Sequence, residues 1–173
     1  MTNIRKYDII FKGEKGFVKN MSNNMNNNNT KKTGKNIDYA KALLLENDYT
    51  CVAYNGDRTL VSTKRGVKPL LEWLDNEKEL TGYSAADKVI GKGAAFLYIK
   101  LGVGCVYAHV ISETSLSLLK KHNVDVTYGE CVPAIRNRTN TGFCPIETSV
   151  LEIDEVDKAI EVIRDKMREL SNN

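Results

Sequence analysis

The order of apolar runs predicts an α/β protein, a three-layer α/β/α sandwich around a mixed sheet. Three observations carry this. Ala85–Thr127 reads as short strand, helix, strand, helix, strand, and strands separated by helices imply right-handed crossovers and a parallel core. Asn55-Gly56 lies between two β-rich runs, Thr50–Tyr54 and Asp57–Ser62. That dipeptide is preferred in a two-residue type I′ hairpin, where both central residues take positive φ, so an antiparallel hairpin leads the parallel strands. Finally, Val156, Ile160, Ile163, Met167 and Leu170 recur at four- and three-residue steps, the apolar stripe of an amphipathic helix that closes the chain against the sheet or a partner subunit.

Taken in order, residues 1–36 form a tail whose MSNNMNNNNTKKTGKN tract is too polar to bury a face, so disorder is expected there; a short strand near Tyr7–Phe11 is the minor alternative. A single domain follows over 37–173. Ile37–Glu46 predicts a helix with Asn36 or Asp38 as its cap. After the hairpin, Pro69 suits a first helical turn, and Leu70, Leu71, Trp73 and Leu74 supply that helix's apolar face. A polar loop over Glu77–Ser84 leads to a strand at Asp87–Ile90, and Gly91-Lys92-Gly93 turns it into a helix ending near Leu101-Gly102. Cys105–Ile111, nearly all apolar, predicts a strand covered on both faces. Ser112-Glu113-Thr114 opens the next helix, and Asp125–Tyr128 begins the third core strand. Gly129–Glu147 shows no periodicity, and a loop of that length inside a compact domain points to function.

Composition narrows the function. The 173 residues carry a net charge of only +3, much of it in the tail, where Arg5, Lys6, Lys12, Lys15, Lys19, Lys31, Lys32 and Lys35 face Asp8 and Glu14. The folded part shows no basic stripe, so no nucleic-acid partner is expected. No apolar run approaches the roughly 20 residues that cross a bilayer. Asp8-Ile9-Ile10-Phe11 is too short for a signal peptide's apolar region, so no membrane association and a cytoplasmic location are expected. The four cysteines, Cys51, Cys105, Cys131 and Cys144, are then expected as thiols.

Open parallel sheets bind ligands beyond the carboxyl ends of their strands, where helix N-termini present free N–H groups. Two consecutive turns occupy such positions. At Gly91, Lys92 and Gly93 the backbone can approach a phosphate or carboxylate while Lys92 adds a positive charge; the plain alternative is a tight strand-to-helix turn. At the second, Ser112 is most simply an N-cap and Glu113 a first-turn acid suited to the helix dipole. Cys144 stands in a Gly/Asn/Thr-rich loop with Arg136 and Arg138 upstream and Glu147 downstream, where basic neighbours favour a thiolate; the alternative is a structural cysteine beside a turn. Cys105 and Cys51 read as strand side chains, and Cys131 as either. Cys105-x3-His109 is the only close Cys/His pairing, and without Cys-x2-Cys or His-x-Glu neither a metal site nor a cofactor is expected. His122 sits at a helix C-terminus, where a cation complements the dipole.

Hairpin, helix, strand, helix, strand, helix, strand resembles the cytidine deaminase-like fold. Between Tyr49 and Met167 the chain carries Arg65-Gly-Val-Lys-Pro69, Asp87-Lys-Val-Ile-Gly-Lys-Gly-Ala-Ala95, Val106-Tyr-Ala108 with Ile111-Ser-Glu113, and Asn137-Arg138, Thr141-Gly142 and Cys144-Pro-Ile-Glu147. Through these motifs that span resembles, more closely, a prokaryotic family known as domain of unknown function 1893. In zinc deaminases a His-x-Glu opens the first core helix and a Cys-x-x-Cys the second; here Gly91-Lys-Gly93 and Ser112-Glu-Thr114 stand at those turns. The resemblance therefore implies the fold without the zinc chemistry.

Three functions are compatible. One is a binding module for a small anionic ligand such as a nucleotide, using Gly91, Lys92, Gly93, Ser112, Asn137 and Arg138. Another is a metal-free enzyme with Cys144 as nucleophile or redox thiol, Glu147 or Glu113 as proton acceptor, and Lys92 with the glycine amides as an anion or oxyanion cradle. The third is a structural or interaction protein with a vestigial pocket. An exposed sheet edge and the last helix point to a homodimer.

Overall fold

The computed structural model describes the backbone of residues 27–77, 79–137 and 139–172, with side chains from residue 34 onward. The elements are α1 (Asn27–Glu46), β1 (Cys51–Tyr54), β2 (Thr59–Ser62), α2 (Lys68–Glu77), β3 (Ser84–Ile90), α3 (Lys92–Leu101), β4 (Cys105–Ser112), α4 (Glu113–Lys121), β5 (Asp125–Val132), α5 (Pro145–Ser149) and α6 (Val156–Asn172). The strands form one five-stranded sheet in the order β2-β1-β3-β4-β5. β1 pairs antiparallel with β2 and with β3, whereas β3–β4 and β4–β5 are parallel. The protein is thus α/β with a mixed sheet, a leading hairpin and three parallel core strands. Among the described residues no helix is long and apolar enough to cross a membrane.

The two-residue period of a strand sorts the core. Val52, Val61, Ala86 and Tyr107 cluster with Ala40 and Leu44 of α1. Their sequence neighbours Cys51, Ala53, Leu60, Ala85, Val106 and Ala108 belong to the larger cluster built with α2, α3, α4 and α6. Helix α3 is central to that cluster: Phe96, Leu97, Tyr98 and Leu101 are each 0% exposed, because a helix apolar on every side must be covered on every side. It ends where Gly102 adopts φ 74° and its N–H bonds back to Ile99, a left-handed position that suits glycine. Helix α6 packs within the chain, against α3 and α5.

Alternation then slips by one residue at the carboxyl end of the sheet. Ala85 and Val106 belong to the larger core cluster, but so do Ile90 and Ile111, five residues further on, while Val89 is exposed. Ladder pairing passes over Lys88, His109 and Gly129 at this level. A Cβ on Gly129 would stand 2.8 Å from the His109 carbonyl oxygen, so this close approach requires a residue without one.

Several elements depart from the sequence reading. Helix α1 begins at Asn27, not Ile37; once Ile37–Glu46 is docked, adding a residue avoids the nucleation penalty that makes an isolated polar helix unstable. The rest of the expected tail, including Tyr7–Phe11, lies outside the described residues. The hairpin loop spans four residues, since Tyr54 pairs with Thr59, and within it only Gly56 takes positive φ. Asn55 instead accepts the N–H groups of Asp57 (2.9 Å) and Arg58 (2.7 Å) on its Oδ1, so the asparagine works through its side chain and not through a left-handed backbone. Strands β3 and β5 are longer than expected at Ser84 and Val132, and the expected loop 129–147 contains the end of β5 and the first residues of the short helix α5. His109 is exposed, so it does not share the burial of Cys105.

Candidate functional site

Parallel pairing of Ile90 with Ile111 delivers both predicted turns to one edge of the sheet. Helix α5 sits between them. Glu147, 5% exposed, accepts the Ile135 N–H at 2.7 Å and the Thr114 hydroxyl at 3.4 Å. A Cβ on Gly91 would come within 3.5 Å of its carboxyl carbon, and one on Gly93 would stand 2.5 Å from Ile146 Cγ2. The glycines of the first turn therefore admit α5, and one carboxylate bridges the two turns.

With that space filled, the cavity opens one strand over, above the end of β3 and the start of β1. It holds about 880 Å³ and is walled by Thr50 and Cys51, by Arg65–Lys68 at the start of α2, by Asp87–Val89, by Gly91, Gly93 and Ala94, by the loop around Ile135–Asn137, by Cys144–Glu147, and by the end of α6. That volume lies within the range of small-ligand pockets, roughly 300–1,000 Å³. Arg65, Lys68, Lys88 and Arg136 are on its walls, and among the described residues none of the four is in an ion pair. The Arg136 guanidinium lies 5.2 Å from the centre of the Phe143 ring.

The cavity also has an acidic patch of wall. Asp87 is 9% exposed; its Oδ2 accepts the Tyr98 hydroxyl at 2.8 Å and its Oδ1 the Val89 N–H at 3.0 Å. Burial pushes this carboxyl up to about 6, with those hydrogen bonds pulling partly the other way. Tyr98 is raised well above the ordinary phenol range by its own burial and then by the Asp87 charge, and Cys51 above the thiol range for the same two reasons.

The sequence-derived candidates divide accordingly. Gly91, Gly93, Asn137, Cys144 and Glu147 line the cavity. Lys92 does not: its ammonium donates to the Leu151 carbonyl beyond α5, with Asp154 4.0 Å away. Ser112 is 0% exposed and caps α4, accepting the Ser115 N–H at 3.4 Å; Glu113 is exposed and outside the cavity wall. Asn137 organises its own loop, its Oδ1 accepting the Thr141 N–H at 3.0 Å and the Thr139 hydroxyl at 3.2 Å. Arg138 lies outside the described residues. Cys144 is half-buried at the N-cap of α5. Among the described residues no group of three or more His, Cys, Asp or Glu side chains could hold a metal ion.

Sequence reasoning did not assign Cys51, Arg65, Lys68 or Asp87 to the site. Asp87 carried a signal: an acid between Ala85-Ala86 and Val89-Ile90 sits in an apolar strand, not at its edge. Arg65 and Lys68 offered none beyond their place in a shared motif, because only the antiparallel β1–β3 pairing brings their loop over β3.

A crystal structure of a DUF1893 family protein (TM1506) from Thermotoga maritima is similar, with 26% sequence identity and a TM-score of 0.68 over 86% of this chain and 97% of that one. No curated protein matches the sequence. Residues 39–167 match the family described as Domain of unknown function (DUF1893), a span holding the whole sheet and nearly all of the cavity wall, and the chain belongs to that family.

Proposed function

We propose that the chain binds a small anionic ligand of nucleotide size in the cavity above β3 and β1. The observation that carries this is the set of cations, Arg65, Lys68 and Lys88, in no ion pair among the described residues, on the wall of an otherwise largely apolar cavity of about 880 Å³. A pocket of that kind suits a molecule with an acidic end and an apolar or aromatic body. We read the scaffold as a three-layer, cytidine deaminase-like α/β/α framework working without zinc. In support, Gly91 and Ser112 stand where the deaminase resemblance would put metal ligands, and Ile146 and Glu147 fill the space between the two turns. Isothermal titration of the intact chain with adenosine 5′-monophosphate, ribose 5-phosphate and inorganic phosphate tests the reading. An Arg65→Ala/Lys68→Ala variant should lose at least about tenfold in affinity, the value of one charged hydrogen bond. Equal affinity in the variant, or no binding of any of the three by the wild type at millimolar concentration, refutes it.

A thiol-dependent enzyme is the second reading, favoured by one fact: Cys144 stands on the wall of the same cavity with Glu147 one helical turn on. Iodoacetamide should then label Cys144 faster than it labels an unstructured thiol peptide at neutral pH. Labelling at the peptide's rate or slower removes it as a nucleophile.

A further inference from the structure

Asp87 lies in the core with no cation paired to it among the described residues. Its oxygens take the Tyr98 hydroxyl and the Val89 N–H, the Lys88 N–H adds a weaker favourable influence, and among the described residues no positive charge acts on it. Burying an unpaired carboxylate is unfavourable by several kcal/mol before compensation, and a chain selected only for packing would place an apolar residue here. The environment instead leaves the carboxylate room. Its partners across the two ladders are Cys51 and Ala108, and the nearby wall is Gly91, Gly93 and Ala94. Apart from Tyr98, these neighbours are small, and Asp87 lines the cavity beside them. A carboxylate offers about four lone-pair sites, and the Tyr98, Val89 and Lys88 donors do not fill them. Tyr98, fully buried on α3, fixes the orientation of the carboxylate from below.

We propose that Asp87 is the residue through which this cavity reads its ligand: the carboxylate accepts a hydrogen bond from an N–H group at the head of a small anion whose acidic end lies among Arg65, Lys68 and Lys88. The ligand class is therefore a compact molecule joining a phosphate or carboxylate to an amine- or amide-like head, as an aminated nucleoside monophosphate does. Tyr98 is a positioning residue, acting only through Asp87. The inference rests on the cavity's being the ligand site.

The alternative is that Asp87 merely holds the Tyr98 hydroxyl inside the core, and the test separates the two. The intact chain is titrated with adenosine 5′-monophosphate and with ribose 5-phosphate, which keeps the anion and lacks the N–H head. Adenosine 5′-monophosphate should bind more tightly. Asp87→Asn should weaken it by about tenfold or more, the loss of one hydrogen bond to a charged group, and leave ribose 5-phosphate unchanged. The wild-type affinity for the nucleotide should also fall as pH drops through about 6, because the protonated acid offers fewer acceptor sites. The phosphate's own titration is common to all variants, so the Asp87 component is the part of the profile that Asp87→Asn removes. Tyr98→Phe deletes a bond that favours the charged form and should move that component to higher pH, a shift that a purely structural role would not produce.

Unchanged nucleotide affinity in Asp87→Asn, with affinity still lost in Arg65→Ala/Lys68→Ala, overturns the assignment of Asp87 and leaves the cavity as the ligand site. Failure of every probe, ribose 5-phosphate included, overturns both. Should Asp87→Asn not fold, the Tyr98→Phe profile decides, and an unmoved midpoint overturns the proposal.

Discussion

Replacing Asp87 by Asn should make the protein more stable at neutral pH, an unusual expectation for a buried polar residue with good hydrogen bonds. The carboxyl's titration point moves from 3.8 in the unfolded chain to about 6 in the folded one. Between those values the folded state holds a proton that the unfolded state has released, so stability falls as pH rises through the window. A displacement of about two units at 1.36 kcal/mol each amounts to roughly 3 kcal/mol, fully expressed above about pH 6 and absent below about pH 4. Asn keeps the shape of the side chain. Its Oδ1 can still accept the Val89 N–H, and its Nδ2 can donate to the Tyr98 hydroxyl oxygen, while the charge responsible for the penalty is gone. Urea denaturation of both proteins across this pH range measures the difference directly, since other titrating groups are shared and cancel. The gap should open in favour of Asp87→Asn as pH rises, reaching up to about 3 kcal/mol. Parallel stability curves, or a variant less stable than wild type above pH 6, would refute the claim that this carboxylate is held in the core at a cost. The same change is expected to lose ligand affinity, a stability–function conflict of the kind expected at binding sites.

The other predictions concern the site's supports. Lys92→Met removes the ammonium that meets the Leu151 carbonyl; it should lower stability by about 1 kcal/mol in thermal melts while leaving adenosine 5′-monophosphate affinity unchanged, and a lost affinity would return Lys92 to the site. Gly93→Ala should destabilise by about 1–2 kcal/mol despite the better helix propensity of alanine, because its Cβ would stand 2.5 Å from Ile146 Cγ2. In a double-mutant cycle with Ile146→Ala the two losses should be less than additive, and strict additivity would show that the contact is not the cause. Phe96→Ala, at a 0% exposed position, should cost about 3–5 kcal/mol in urea titrations. Asn137→Ala removes the acceptor for the Thr141 N–H and should speed hydrogen exchange of that amide; unchanged protection would mean that the loop holds its shape without Asn137.

The parts of the fold legible in the sequence were those whose signal is local. Pro69, the apolar face of α2, the run Cys105–Ile111 and the stripe of α6 each state their structure within a dozen residues. Asn55-Gly56 marked the hairpin correctly and its turn type wrongly, because an asparagine side chain can satisfy two backbone N–H groups without a left-handed backbone. Gly129 looked like the first residue of a loop and proved to be a point of close approach inside a strand. Lys92 looked like an anion's partner, and α5, folded back from far along the chain, holds its charge instead.

The sequence by itself determined the class of the fold, the succession of strands and helices, and the meeting of the Gly91 and Ser112 turns on one edge, since apolar period and crossover handedness are properties of the chain read along its length. Only the tertiary structure decided where the cavity lies and which charges face it. Arg65 and Asp87 are twenty-two positions apart in the numbering and share a wall because β1 runs antiparallel to β3, while Ile146 and Glu147 close the neighbouring gap from beyond the last strand. Such proximities depend on strand order and on which helix fills which space, and no local pattern of residues encodes them.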